Sequence, residues 1–254
     1  MDLGLNDTVC IVTGSTGGIG LETVRLLAAE GARVVTVGRS GAPGVGEALH
    51  VTADLSHAGE PARLVAEAGA LGPVGVLVNN LGVAYQRTFE EVTDEQWDEL
   101  WQFNVMSYVR SIRAVLPSMK ERGAGVIVNV SSTAGKRPSA TMSDYSVTKA
   151  AILSLSRLIA DAYAKDGIRC NAVTPGPTAT TAWLGQGGLA DQQAATSGKS
   201  RDEVLAAVAA GRPLGRLAEA EEIATVIAFL CSPRTSYVTG AAWSVDGGTV
   251  PIIL

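Results

Sequence analysis

The chain has 254 residues and a formal net charge of −5. Hydrophobic residues make up 46% and charged residues 18%, which supplies side chains for a sizeable core and argues against a disordered chain. No basic patch stands out, so no nucleic-acid partner is expected. No uncharged apolar run approaches the ~18 residues of a membrane span, and the N-terminus lacks a signal-peptide pattern. A cytoplasmic location is the simplest interpretation.

The cysteines and histidines give no sign of a disulfide framework or a metal site. Cys10, Cys170 and Cys231 are odd in number and far apart, and the first two lie in apolar, strand-like runs. This placement predicts buried, inert thiols. His50 and His57 have no partner motif, so no metal is expected.

The N-terminal quarter begins with a strand–turn–helix–strand pattern. An apolar run at 9–12 leads into the glycine-rich stretch 13–20, then an apolar-periodic segment that ends near Gly31, and a second apolar run at 33–37. This order predicts a βαβ unit.

The glycines of the turn suit a phosphate. Residues without Cβ allow a tight turn and a close approach of backbone to ligand, and the N–H groups at a helix start face an anion. The spacing Gly14, Gly18, Gly20 differs from the usual G-x-G-x-x-G. The stretch is interpreted as a dinucleotide loop, with a plain glycine-rich turn as the alternative.

The end of the second strand bears on the choice of cofactor. In dinucleotide sites an acidic residue near this point hydrogen-bonds the ribose 2′-hydroxyl. Here Gly38 leaves room and Arg39 supplies positive charge, which suits a 2′-phosphate. NADP(H) is therefore favoured over NAD(H), the alternative being a solvated arginine.

The rest of the chain continues to alternate strands and helices. Further strands are predicted over 49–52, 74–78, 126–130, 168–173 and 242–245, and helices over 61–70, from Thr93 to about Lys120 and from about Asp144 to Lys165. Thr93 and Gln96 have capping-box spacing, and Pro117 is expected to bend the last turn of its helix. The pattern predicts an α/β fold with a single Rossmann-type, doubly wound, seven-stranded parallel sheet and helices on both faces. No linker divides the chain, so residues 1–254 are expected to form one domain.

The segment 178–213 departs from the tight alternation. It follows the carboxyl end of a strand, contains Trp183 and Leu184, and includes a predicted helix over 201–211. It is interpreted as a substrate lid, with a functionless surface insertion as the alternative. Few charges occur in it up to Ala190, which favours an apolar or neutral substrate.

Proton-transfer chemistry is predicted for the stretch from Ser132 to Lys149. Tyr145 and Lys149 are four apart, so on a helix they share one face. A nearby ammonium favours the phenolate and lowers the tyrosine pKa from about 10. Tyr145 then becomes a proton donor and acceptor, and the hydroxyl of Ser132 could bind the same substrate oxygen. The alternative is two ordinary residues on a helix surface.

Taken in order, these motifs resemble the short-chain dehydrogenase/reductase family over nearly the whole chain. The resemblance implies that the cofactor contacts Gly14, Ser15, Thr16, Gly18, Ile19, Gly20, Arg39, Asp54, Leu55, Asn80, Leu81, Gly82, Tyr145, Lys149, Pro175, Gly176, Thr178 and Thr180. Asp54 matches the acid that contacts adenine, and 175–180 matches the segment at the nicotinamide end. Leu81 departs from the alanine of the family's Asn-Ala-Gly motif.

The same resemblance implies the catalytic tetrad Asn104, Ser132, Tyr145 and Lys149. The 13-residue separation from Tyr145 decides for Ser132 over Ser131. The implied reaction passes a hydride between nicotinamide C4 and a carbonyl or secondary alcohol. Tyr145 exchanges the proton, Ser132 binds the oxygen, Lys149 holds the nicotinamide ribose, and Asn104 supports a water that links Lys149 to solvent.

The resemblance leaves the substrate open. A 3-oxoacyl-thioester reductase is one candidate, and a steroid, sugar or polyketide ketoreductase is another. Lys136 and Arg137 could reach a carboxylate or phosphate, but the usual exposure of such residues favours solvated loop charges. The competing class is a non-catalytic dinucleotide-binding sensor or scaffold of the same fold.

The family usually forms tetramers, so a homotetramer or homodimer is expected. The predicted helices 104–120 and 145–165 resemble its interface helices. The apolar tail 251–254 is expected in a subunit contact.

Overall fold

The computed structural model describes residues 2–251 and is built on one seven-stranded, all-parallel sheet. In chain order the strands are β1 (Val9–Thr13), β2 (Arg33–Gly38), β3 (Leu49–Thr52), β4 (Val74–Asn79), β5 (Gly125–Val130), β6 (Ile168–Pro175) and β7 (Ala242–Val245). They lie in the order β3-β2-β1-β4-β5-β6-β7. The chain therefore runs outward from β1 to β3, returns to β4 beside β1, and continues outward in the opposite direction. The predicted doubly wound sheet is confirmed, and the switch point between β1 and β4 is where such sheets bind ligands.

Ten α-helices are present in the described part of the chain. They are α1 (Gly18–Ala29), α2 (Glu60–Ala68), α3 (Asp94–Trp101), α4 (Ser107–Arg122), α5 (Thr133–Lys136), α6 (Ser143–Tyr163), α7 (Thr181–Leu184), α8 (Leu189–Ser197), α9 (Arg201–Ala210) and α10 (Ala220–Cys231). Short 3-10 turns follow α2 and α6 at Gly69–Leu71 and Ala164–Asp166.

Two hydrophobic cores, one on each face of the sheet, hold the layers together. Leu64 of α2, Ile112 of α4 and Ile159 of α6 pack on one face. Val24 of α1 and Ile227 of α10 pack on the other. Because both faces are covered, strands such as β1 and β4 are buried along their whole length, which explains their unbroken apolar sequence.

The helix predicted from Thr93 to about Lys120 is not continuous, so that prediction is wrong in its middle. Thr93 does cap α3 in a capping box with Gln96. After α3 the backbone forms a π-helical turn over Gln102–Met106 and only then continues as α4. A π-helical turn contains one residue more than an α-helical turn, and such insertions occur frequently at functional sites. The residue at its centre is Asn104.

Helix α10 was not predicted, although it fills the sheet face beside α1. Its start has a capping box between Glu219 and Glu222, and Ile223 and Ile227 lie four apart on its buried side. A capping box is also the signal from which the sequence predicted the start of α3, so the same pattern could have predicted α10. Among residues 2–251, no helix is both long and apolar enough to cross a membrane.

Candidate active site and cofactor cleft

An open cleft of about 1340 Å³ lies across the carboxyl ends of the strands. The predicted site residues that line it are Gly14, Thr16, Gly18, Ile19, Arg39, Asp54, Leu55, Asn80, Leu81, Gly82, Ser132, Tyr145, Lys149, Pro175, Gly176, Thr178 and Thr180. Ser15, Gly20 and Asn104 do not line the cleft and lie behind its wall. Site residues that were predicted from widely separated parts of the sequence, between positions 14 and 180, therefore line one cleft.

Two glycines of the glycine-rich loop, Gly14 and Gly20, occupy positions that leave no room for a side chain. Gly14 has φ +61°, in the left-handed region that favours glycine. A Cβ on Gly20 would lie 2.3 Å from the carbonyl oxygen of Gly14 and 2.5 Å from Nδ2 of Asn80. The start of α1 can therefore approach β1 only if both positions are glycine.

Side-chain hydrogen bonds fix this loop to the neighbouring strands. The hydroxyl oxygen of Thr13 accepts from the backbone N–H groups of Asn80 at 2.9 Å and Leu81 at 3.1 Å. The hydroxyl oxygen of Ser15 accepts from the N–H of Val37 at 2.9 Å. Ser15 thus supports the loop from behind, and Thr13, which the sequence did not single out, joins β1 to the end of β4.

A positively charged corner lies where β2 ends. A Cβ on Gly38 would lie 2.5 Å from Cγ2 of Thr16, so the loop and the strand end are in close contact. The guanidinium carbon of Arg39 lies 5.5 Å from the centre of the Phe103 ring, a cation–π distance. With the N-terminus of α1 beside it, this corner provides charge and backbone donors suited to a phosphate.

Asp54 lies in the same wall as an ionised acceptor. Burial raises its pKa, but hydrogen bonds from Ser56 outweigh burial and leave the pKa below its ordinary value, with Arg39 adding to the fall. The Ser56 N–H and hydroxyl donate to Oδ1 of Asp54 at 3.0 and 2.7 Å. The cradle of glycines, the cationic corner and this acceptor together fit a dinucleotide.

Ser132 and Tyr145 both line the other end of the cleft. Ser132 caps α5, its Oγ accepting from the N–H of Ala134 at 3.1 Å, and it lines the cleft close enough to Tyr145 to lower the pKa of that phenol. The hydroxyl of Ser131 instead donates to the carbonyl oxygen of Lys149 at 2.7 Å. A substrate oxygen can therefore reach the Ser132 and Tyr145 hydroxyls together, whereas Ser131 braces α6.

Lys149 lies beneath this pair and is almost wholly buried, with 3% of its surface exposed. Its Nζ donates to the carbonyl oxygen of Val130 at 3.0 Å and lies 5.6 Å from the centre of the Tyr145 ring. A Cβ on Gly82 would come within 3.1 Å of Nζ, so this glycine leaves room for the ammonium. Burial lowers the Lys149 pKa to about 7.

The expected fall of the Tyr145 pKa is wrong for the chain by itself. Burial raises the pKa of Tyr145 and the neighbouring Ser132 hydroxyl lowers it, with a net shift above the ordinary value. The physical reason is that desolvation disfavours the phenolate, and Lys149, which is itself desolvated, is only partly protonated near pH 7.

Asn104 braces the cleft from behind. Its Oδ1 accepts from the N–H of Val83 at 3.0 Å, and its Nδ2 donates to the Val83 carbonyl at 3.0 Å and to the hydroxyl of Thr148 at 3.2 Å. Thr148 in turn donates to the carbonyl oxygen of Tyr145 at 2.8 Å. The π-helical turn thereby links the strand-end loop after β4 to the helix that bears Tyr145 and Lys149.

Comparison with known proteins agrees with this geometry. A family model described as Enoyl-(Acyl carrier protein) reductase matches residues 14–250. The L-xylulose reductase of Bos taurus is 38% identical, over 98% of this chain and 98% of its own length. The galactitol 2-dehydrogenase (L-tagatose-forming) of Cereibacter sphaeroides is 36% identical, over 96% of this chain and 95% of its own.

The chain belongs to the short-chain dehydrogenase/reductase family. Among solved structures, the L-sorbose reductase of Gluconobacter frateurii, complexed with NADPH and L-sorbose, is similar with a TM-score of 0.92 and 33% identity, covering all of both chains.

Within this family fold, the structure adds contacts near Tyr145 that the sequence did not reveal. Asp144 is fully buried; its Oδ1 accepts from the N–H of Tyr145 at 2.7 Å and its Oδ2 lies 3.6 Å from the guanidinium of Arg87. Arg87 also lies 4.1 Å from the centre of the Tyr85 ring. Asp144 and Arg87 are more than 50 residues apart in sequence, so no local pattern could have paired them.

Proposed function

We propose that the protein is an NADP(H)-preferring short-chain dehydrogenase/reductase that interconverts a carbonyl compound and its secondary alcohol. The observation that supports it most directly is that Ser132, Tyr145 and the buried Lys149 line the same cleft as the glycine loop, with Nζ of Lys149 5.6 Å from the centre of the Tyr145 ring. This arrangement argues against the non-catalytic sensor or scaffold, which needs no pair of hydroxyls at the end of its cofactor cleft.

NADP(H), when bound, supplies or accepts the hydride at nicotinamide C4. Ser132 and Tyr145 hold the substrate oxygen, and Tyr145 gives its proton to that oxygen as negative charge develops there. Lys149, with a pKa of about 7, returns a proton towards the tyrosine at neutral pH. Asn104 acts as a positioning residue that holds the loop at Val83 and supports a water beside Lys149.

The Tyr145→Phe variant tests the catalytic assignment. Loss of a positioned acid is expected to lower kcat by about 10³-fold, because general acid–base catalysis contributes between about 10² and 10⁴. NADPH binding, followed by protein fluorescence, should change little. Tyr163→Phe at the other end of α6 is the matched control. Unchanged turnover in Tyr145→Phe would favour the sensor or scaffold alternative.

The preference for NADP(H) rests on Gly38, Arg39 and the absence of an acid at the end of β2. Arg39→Ser is expected to weaken NADPH binding by about 10-fold and leave NADH binding nearly unchanged, since one charge-assisted contact is lost. Arg25→Ser on the exposed side of α1 is the control. Tighter binding of NADH than NADPH by the unaltered protein would refute the preference.

Residues 178–213 are proposed to act as a substrate lid within a single domain 1–254. Three short helices, α7 to α9, occupy this segment, and Trp183 and Val208 from it line the cleft. The similar proteins are named for different substrates, so the substrate of this protein is not transferred from them. A panel of ketones and alcohols followed at the reduced nicotinamide band identifies it.

A homotetramer or homodimer is proposed because α6 leaves apolar side chains in solvent. Val147 and Leu158 on this helix are 49% and 61% exposed. The apolar tail 251–254 was also expected in a contact, but 252–254 lie outside the described residues. Light scattering that shows a monomer at micromolar concentration would refute the assembly.

A cytoplasmic location is proposed from the cysteines. Cys10, Cys170 and Cys231 are all buried and none forms a disulfide in the described part of the chain. Such thiols suit a reducing compartment.

A further inference from the structure

The two basic residues that follow α5 have different environments. Nζ of Lys136 donates to the carbonyl oxygen of Ala242 and to the hydroxyl of Ser244, both at 2.9 Å, and so attaches α5 to β7. Arg137 is exposed and lines the cleft. No carboxylate of residues 2–251 forms an ion pair with it. Lys136 therefore has a structural role, whereas the charge of Arg137 faces the cleft without an acidic partner in this part of the chain.

A second arginine reaches the same cleft from the end of the lid. Arg212 follows α9, and its Nε is buried without a hydrogen-bond partner in the described structure. Its Nη1 reaches only the carbonyl oxygen of the adjacent Gly211, at 3.2 Å. A buried donor that lacks an acceptor is costly, and such groups in proteins usually have a ligand or water as partner.

Asp246, the acid whose charge acts on Arg212, already accepts other hydrogen bonds. The two carboxylate oxygens of Asp246 accept from the backbone N–H groups of Gly248 and Val250, both at 3.0 Å. Asp246 favours the charged arginine, but burial and the neighbouring charge of Arg137 oppose it and leave the Arg212 pKa below its ordinary value. Both arginines line the cleft and their charges repel each other, so an anion that contacts both would relieve the repulsion.

The pair lies away from the cationic corner at Arg39. Arg39 follows β2, whereas Arg137 follows β5 and Arg212 lies beside the residues after β7. β1 and β4 separate β2 from β5, which makes roughly 14 Å at an inter-strand spacing of about 4.8 Å. Arg137 and Arg212 are therefore on the side of Ser132 and Tyr145, where the substrate rather than the ribose phosphate would lie.

We propose that Arg137 and Arg212 form an anion subsite that binds a carboxylate or phosphate on the carbonyl substrate. This inference rests on the proposed function, since it assigns a substrate class to the same site. Residues 178–190 of the lid carry few charges, which by itself favours a neutral substrate. The proposed anionic substrate differs, because Arg212 lies after residue 190 and Arg137 lies outside the lid. Binding of the anion would also join the lid to the body of the protein.

Two matched substrate pairs distinguish the two kinds of anion. 5-Keto-D-gluconate and L-sorbose differ by a carboxylate in place of a hydroxymethyl group. S-Acetoacetyl-4′-phosphopantetheine and S-acetoacetyl-pantetheine differ by the phosphate of the carrier arm. With NADPH, the anionic member of at least one pair is expected to have the higher kcat/KM, by about tenfold or more, and the pair that shows it identifies the anion.

The variants Arg137→Gln and Arg212→Gln test the residues. Each is expected to lower that preference by about tenfold, mainly through KM, and to leave the neutral member nearly unchanged. Arg234→Gln, whose guanidinium bonds the carbonyl of Asp2 away from the cleft, should keep the preference. Equal kcat/KM within both pairs, or a preference that survives both substitutions, would overturn the subsite.

Calorimetric binding in the Tyr145→Phe background with NADPH separates this inference from the proposed function. Tighter binding of 5-keto-D-gluconate than of L-sorbose (or of the phosphopantetheine ester than of the pantetheine ester), lost in Arg137→Gln, supports the subsite even if the unaltered protein shows no turnover. Turnover by the unaltered protein with no difference in binding leaves the reductase standing and rejects the subsite.

Discussion

The two ends of the cleft are built in different ways. At the cofactor end, the glycine loop, β2 and the loop after β4 contact each other through backbone atoms. Gly14 and Gly20 have no space for a side chain, and the Thr13 hydroxyl is engaged by two backbone N–H groups. At the lid end, three short helices are held to the body by few bonds. One is the side-chain oxygen of Gln192, which accepts from the N–H of Gln86 at 3.0 Å.

The difference indicates that the fold constrains the residues of the cofactor end, whereas the substrate constrains those of the lid end. Where backbone atoms pack directly against each other, few residue types fit. The shape of the cofactor end is therefore fixed, and it suits one shape of ligand. A lid attached by side chains can change its lining without disturbing the sheet. We expect substitutions at the two ends to have effects of different size and kind.

The largest effect is expected from Gly20→Ala at the cofactor end. The added Cβ would lie 2.3 Å from a backbone oxygen of Gly14, so the loop must move away from β1. Overpacking of this kind costs about 3 kcal/mol, and we expect NADPH affinity to fall by about 100-fold. Fluorescence titration with NADPH measures it.

Gly59→Ala is the matched control, because a Cβ there meets nothing within 4 Å. It should leave NADPH affinity and the free energy of unfolding nearly unchanged. If Gly20→Ala bound NADPH as tightly as the control, the cofactor end would be more adaptable than its packing indicates.

The same contrast explains what the sequence could predict. The seven strands and the residues at their ends followed from local apolar runs and glycine spacing, because each is set within a short segment. The π-helical turn at Asn104 could not be predicted, since it depends on bonds to Val83, which lies 21 residues earlier. Arg137 lies in the loop after α5 and Arg212 lies in the lid segment, far apart in sequence. The fold places both in the lining of one cleft, which no local pattern could predict.

Lys149, at the junction of the two ends, gives the next largest effect. Its folded-state pKa of about 7 lies below the value of about 10.4 in an unfolded chain, so the unfolded state binds more protons between these pH values. Its contribution to the stability of the ligand-free protein should therefore rise by about 2 kcal/mol from pH 7 to pH 9. Below pH 7 both states are protonated and the full penalty remains.

Urea denaturation of the unaltered protein and of Lys149→Met at a series of pH values measures this rise. The variant should be the more stable of the two at pH 7, and the difference should shrink as the pH increases. Lys165→Met, at an exposed position, serves as the control. Parallel pH profiles for the unaltered protein and Lys149→Met would mean that the buried ammonium is better solvated than its surroundings imply.

The smallest effect is expected from Gln192→Ala in the lid. The substitution removes the bond to Gln86 and the bond from Nε2 to the carbonyl oxygen of Gly187, at 2.9 Å. Because the amide is partly exposed, the loss should be about 1 kcal/mol or less, seen as faster amide hydrogen exchange in α8 and a KM raised by about 2- to 5-fold. Thr196→Ala, which removes bonds within α8 only, is the control. A fall in NADPH affinity as large as that of Gly20→Ala would show that the lid and the cofactor end form one rigid unit.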